Sequence, residues 1–166
     1  MNSKNVIEEL IKSNKIVTPL SKTKEFFMKK ALESIAIARM VQQESPMWAI
    51  NISYYSMFFA ANALLASIHK QIKDTQGIHS KIYHALQYYF VLQSNQLPKK
   101  IITNYEISLK EAKELLQLNI SNLKYESSKR KTFTYEINKE ATLAKSSTSY
   151  ERAREFIRFV ERIIQE

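Results

Sequence analysis

The chain has 166 residues, no Cys, one Gly, three Pro and a net charge of +9. That length suits one domain with a sizeable core. The missing cysteines exclude disulfides and thiolate metal sites and are compatible with a reducing cytosol, so a cytoplasmic location is expected. Few Gly and Pro leave few break points, and helices are the default expectation. The positive charge is spread, with +3 over residues 1–50, +4 over 51–100, +2 over 101–150 and 0 thereafter. Such a surplus favours an anionic partner such as nucleic acid, or serves solubility alone.

The first predicted element is a short amphipathic segment from Asn5 to Ile16, within residues 1–17 read as an N-terminal helical extension. Its charges alternate with short apolar pairs. It lacks the unbroken apolar stretch of a signal peptide, so export is not expected. Thr18 then reads as an N-cap with Pro19 at the first helical position. Phe27, Ala31, Ser34, Ala38 and Val41 recur at helical spacing up to about Gln43. Ser45 and Pro46 repeat the cap-plus-proline signal at once, so the next helix should fold back as an antiparallel neighbour.

That next helix is expected to end near His69. From Ser45 to Ile68 it carries no charge over 24 residues, long enough to cross a bilayer. Pro46, Asn51, Ser53, Ser56, Asn62 and Ser67 interrupt its apolar character, and Tyr54 and Tyr55 fall inside the run rather than at its edges. A helix apolar all round is otherwise a buried one. It reads as the central core helix, with Ser56, Ala60, Ala63 and Ser67 small enough for neighbours to approach. No membrane span is expected.

A further helix is predicted over Ile78 to Leu92, and Pro98 starts another. Within that one, Ser108 to Glu111 ("SLKE") is a capping-box pattern that implies a kink or restart. Lys131 to Ser147 is the least regular segment, and a second box, Thr148 to Glu151 ("TSYE"), is expected to open the last helix. That helix carries the stripe Tyr150, Ala153, Phe156, Ile157, Val160, Ile163 and Ile164. No repeat and no strand alternation of useful length is evident. The expectation is a single all-α domain, residues 1–166, built as an up-and-down bundle.

Metal and cofactor chemistry has little support. Asp74 is the only Asp, no stretch clusters Asp and Glu, and there is no glycine-rich phosphate loop. His79 and His84 are five apart, about 140° around a helix, so one face cannot offer both to a metal. No metal or other cofactor is expected.

"SYYSMFFAANALL" (Ser53 to Leu65), then "GIHS" (Gly77 to Ser80), then "RKTFTY" (Arg130 to Tyr135) and a closing amphipathic helix resemble the HEPN family. More narrowly, they resemble stand-alone HEPN proteins paired with minimal nucleotidyltransferases in prokaryotic toxin–antitoxin and defence loci. The resemblance runs from about Lys30 to Ile164. It implies a four- or five-helix bundle, a homodimer, a nucleotidyltransferase antitoxin as partner, and action on RNA without a metal. The family's cleaving motif is an Arg followed after four to six residues by a His. Here Arg130 is followed by Tyr135, as in a branch of the family ending in Tyr.

By that resemblance the site residues are Arg130, Tyr135 and His79. An arginine fork binds two phosphate oxygens and stabilises charge developing at phosphorus; the ordinary alternative is a solvated side chain. A phenol, with a pKa of about 10, is a poor base near pH 7, so Tyr135 is better suited to orient a phosphate, to donate a proton or to pack. His79 matches the family's His after the second helix. In the first turn of its helix the dipole disfavours the imidazolium, leaving an acceptor, a replacement base, or a surface or capping histidine. Phe59 stands where some relatives have His. Asn62 needs a partner inside a buried helix and reads as a core or interface hydrogen bond. Two functions follow: an RNase-like toxin, or a non-catalytic HEPN module that binds a protein, RNA or nucleotide.

Overall fold

The computed structural model describes residues 2–73, 76–124 and 131–165, with side chains described outside 118–141. The chain is nearly all helix: α1 Ser3–Lys12, α2 Thr23–Val41, α3 Pro46–Ser67, α4 Ile78–Leu86, α5 Lys99–Lys124 and α6 Lys131–Gln165. From Gln87 to Gln93, α4 continues in the wider π-helical winding. This agrees with the all-α expectation.

Helix α3 is the axis of the core. It packs most extensively on α2 and α6, and also on α5 and α4. Among the described residues it is the one helix long and apolar enough to cross a membrane, and 78% of its most apolar stretch is buried inside the protein. Met57, Ala60, Ala61, Ala63 and Leu64 are fully buried, as are Ser53 and Ser56. Alternating Met and Leu with Ala and Ser lets α2 meet α3 through its own small residues, Ala31 and Ala38. From the other side Ala153, Phe156, Ile157 and Val160 of α6 join the cluster, with Ile101 and Tyr105 of α5. Val6, Ile7 and Leu10 of α1 belong to the same cluster, so this segment is part of the core.

Three local expectations are corrected. Thr18 and Pro19 do not start a helix. Ile16 and Val17 pair antiparallel with Ile72 and Gln71, and Lys73 N donates to Lys15 O at 2.8 Å, holding the chain extended. Helix α2 begins only at Thr23, after Lys22 at φ 68°. Nor does Ser108 restart a helix, since α5 is continuous through it. Glu111, which a capping box would turn back to the Ser108 N–H, instead accepts from Arg152 (2.9 Å) and Ser149 (3.1 Å) of α6. Thr148 likewise lies inside α6, its hydroxyl donating to Ala144 O in the preceding turn. The last helix therefore runs back through residues 131–147, read as irregular from sequence.

Candidate functional site

His79 lies in the first turn of α4, as expected. Gly77 precedes the helix at φ 67°, a left-handed conformation open to glycine at little cost, and its carbonyl accepts from Ser80 and Lys81 N–H. This tight entry sets the His79 ring against α3. Its Nδ1 is 2.7 Å from the Tyr54 hydroxyl, its centroid is 4.5 Å from that of Phe58, and the Tyr55 ring meets it edge-on at 5.8 Å. Three aromatic side chains from consecutive turns of α3 thus fix one imidazole. Its Nε2 makes no hydrogen bond among the described residues.

Behind Tyr54 stands Tyr105 of α5, its ring centroid 6.0 Å away and its side chain wholly buried. The Tyr105 hydroxyl meets no partner at full hydrogen-bonding geometry; the polar group it lies toward is the Tyr54 hydroxyl. Burial raises the pKa of both phenols, so both stay protonated across the physiological range. His79 is shifted the other way: burial first, and then the Lys113 ammonium, disfavour its charged form. It is therefore neutral at pH 7.

Beside this cluster a cavity of about 330 Å³ opens between α4 and α5, bordered by Ser80, Tyr83, His84, Glu106, Lys110 and Lys113. Glu106 accepts from the Tyr83 hydroxyl at 3.2 Å, whereas Lys110 and Lys113 have no ion-pair partner among the described residues. At the far side, His84 Nδ1 is 3.0 Å from Ser3 Oγ, which donates to Gln87 Oε1. Sequence reasoning missed this arrangement, because Ser3 and His84 are 81 residues apart and neither carries a motif.

A second, more open depression of about 610 Å³ lies between α5 and α6. Its cations are largely answered by carboxylates: Lys100 pairs with Glu155 at 3.2 Å and Arg152 with Glu111 at 2.9 Å. The α4–α5 cavity, where Lys110 and Lys113 have no ion-pair partner among the described residues and Glu106 is the one carboxylate of the lining, is better suited to an anion.

Of the site residues expected from sequence, His79 is held in a polar and aromatic cluster. Arg130 lies outside the described residues. Tyr135 falls in the second turn of α6, and its side chain is outside the described ones. Asn62 donates to Phe58 O at 2.8 Å, a hydrogen bond within its own helix, as a core reading requires. Phe59 stacks on Phe27 of α2 at 6.4 Å, so at that position the chain makes a packing contact between helices. Among the described residues no three His, Asp or Glu side chains gather closely enough to hold a metal ion. No protein-family model matches the chain, and no curated protein matches it in sequence.

Proposed function

We propose that this protein is a HEPN-like, toxin-type RNA-acting protein, dimeric and held in check by a minimal nucleotidyltransferase partner. Arg130 engages the scissile phosphate and no metal takes part. The observation that carries this reading is the contact between two separate parts of the sequence motif. Tyr54 of "SYYSMFF" and His79 of "GIHS" meet at 2.7 Å, with the charge of Lys113 acting on the His79 ring. A neutral imidazole beside an ammonium group is a suitable surface for a phosphodiester.

The alternative is a non-catalytic HEPN module that binds a protein, RNA or nucleotide. Tyr135 at the motif's last position favours it, because a phenol is a poor base near neutral pH. One assay separates the two: purified protein incubated with total tRNA in EDTA, beside Arg130→Ala and Tyr135→His. Cleavage lost in Arg130→Ala supports the enzyme. Binding that Arg130→Ala weakens without any cleavage supports the module, and cleavage gained in Tyr135→His identifies the missing base. RNA affinity unchanged by Arg130→Ala at two salt concentrations removes RNA from the function altogether.

A further inference from the structure

We infer that the cavity between α4 and α5 is a binding site for a phosphomonoester, held by Lys110 and Lys113 of one helix and Ser80 of the other. The two lysines are three residues apart on α5, so they share one side of the helix and their like charges repel. A carboxylate four residues ahead of a lysine is the ordinary answer on a helix, and Glu106 stands there for Lys110. It is turned away instead. Glu106 Oε2 accepts from the Tyr83 hydroxyl of α4 at 3.2 Å, and Glu114, four residues past Lys110, makes no ion pair with it either. Across the cavity Ser80 sits in the first turn of α4, and its hydroxyl makes no hydrogen bond among the described residues. His84, one turn on, is tied back to α1 with its Nδ1 3.0 Å from Ser3 Oγ, and Leu109 supplies a buried apolar patch of wall. Two cations and a free hydroxyl thus border one space whose one lining carboxylate is already engaged.

That donor set fits a phosphate at a chain end. A terminal phosphate carries about −1.5 to −2 charge at pH 7 and three acceptor oxygens, one for each of Lys110, Lys113 and Ser80. An internal phosphodiester has a single charge and two such oxygens, and would leave one donor unanswered. At about 330 Å³ the cavity falls at the small end of the range typical of small-molecule sites, about 300–1,000 Å³. It has room for a phosphate with its sugar. The end of an RNA strand and a free sugar phosphate share this chemistry. The site itself stands apart from the function proposed above. Reading its ligand as an RNA end rests on that function, and would let the protein select strands by their termini. Lys110, Lys113 and Ser80 touch the ligand, and Tyr83 is a positioning residue that keeps Glu106 off Lys110.

Binding is read at fixed ionic strength by NMR titration with ribose, ribose 5-phosphate, and a 2′-O-methyl RNA trinucleotide with and without a 5′-phosphate. Ribose 5-phosphate should move the Ser80, Lys110 and Lys113 amide resonances, and ribose should not. Without its 5′-phosphate the trinucleotide should bind at least about tenfold more weakly, and the double variant Lys110→Gln, Lys113→Gln should lose as much for the phosphorylated one. Lys110, Lys113 and Glu106 are exposed, so their variants keep the fold. Glu106→Gln keeps the shape and the bond to Tyr83 but loses the charge, so affinity should rise by about two- to fivefold. Tyr83→Phe frees Glu106 to meet Lys110, so affinity should drop. Adding Glu106→Gln to Tyr83→Phe should restore it, which a merely structural tyrosine would not show. Tighter binding of the phosphorylated trinucleotide than of ribose 5-phosphate assigns the site to RNA ends; equal binding assigns it to a free sugar phosphate. The inference is overturned if the phosphate makes no difference, if the lysine pair can be removed at no loss, or if Glu106→Gln weakens binding. Those results would leave the function proposed above to the tRNA assay with Arg130→Ala.

Discussion

At the scale of single residues, His79 and His84 make stability depend on pH in a stated direction. Both imidazoles are less basic in the folded protein than the ordinary value of 6.5. For His79 the causes are burial and then Lys113, with the Tyr54 and Tyr55 rings packed against it. For His84 they are burial and then the chain's amino terminus, partly offset by Glu106. Below pH 6.5 the unfolded chain takes up protons that the folded rings resist, so unfolding gains and stability drops. The contribution is complete above 6.5 and lost as pH falls through the lowered values. Both rings remain partly exposed, and solvent weakens the effect. From pH 7.5 to 5.5 these two groups should lower the melting temperature by a few degrees, and His79→Gln should make the calorimetric slope shallower. A slope unchanged in that variant would show that burial of the ring is not what resists the proton. Such single-residue chemistry was only partly legible in sequence. The position of His79 in the first helical turn followed from the helix expected to begin at Ile78, but its contact with Tyr54 spans 25 residues and needs the fold. Ser3, His84 and Gln87 meet only because α1 docks on α4, which no local pattern announces.

At the scale of elements, the helices were legible, as were the starts of α3 at Pro46, α4 at Ile78 and α5 just after Pro98, whereas the starts of α2 and α6 were not. Apolar spacing located α2, α3, α4 and the end of α6, because burial of one face repeats every three or four residues. Capping signals misled where tertiary partners claimed the same side chains. Glu111 is the case in point: it bridges α5 and α6 by accepting from Arg152 and Ser149, with the ion-pair side chains only 20% and 27% exposed. A short charge-assisted pair of this kind contributes about 1.5–3 kcal/mol. Glu111→Ala should therefore destabilise the protein by about that amount in urea unfolding. The Lys100–Glu155 pair joins the same two helices with Lys100 74% exposed, so Lys100→Ala should cost about 1 kcal/mol or less. Equal losses from the two variants would contradict the assignment of Glu111 as the clamp between α5 and α6. The Thr18–Pro19 signal failed for a related reason. Two residues of β-pairing to a strand 55 positions away outweighed a local cap, and periodicity over two residues cannot be read.

At the scale of the whole molecule, one surface is more apolar than solvent exposure alone would select. Phe26, Ile37 and Met40 fall within about 60° on the outer face of α2, at 56%, 48% and 79% exposure, and the Lys30–Glu33 ion pair sits between them. Trp48, at the start of α3, is 56% exposed, and stacking of Phe27 on Phe59 ties the two helices into one surface. The weak amphipathicity of α2, puzzling for a helix on the outside of a bundle, makes sense if a second copy covers this face. A two-fold axis would then bring each stripe onto its mate. The dimer proposed above is accordingly expected to form through α2. In the double variant Ile37→Lys, Met40→Lys, each protomer would bury two unpaired ammonium groups at the contact, a cost of several kcal/mol. Sedimentation equilibrium should show the wild type as a dimer, and the variant with a dissociation constant raised at least about 100-fold. The variant's helical circular dichroism should be unchanged, because both side chains lie outside the bundle core. A wild type that sediments as a monomer at tens of micromolar refutes the dimer. A variant that stays dimeric keeps it and moves the contact away from α2, leaving the exposed stripe for a different protein partner.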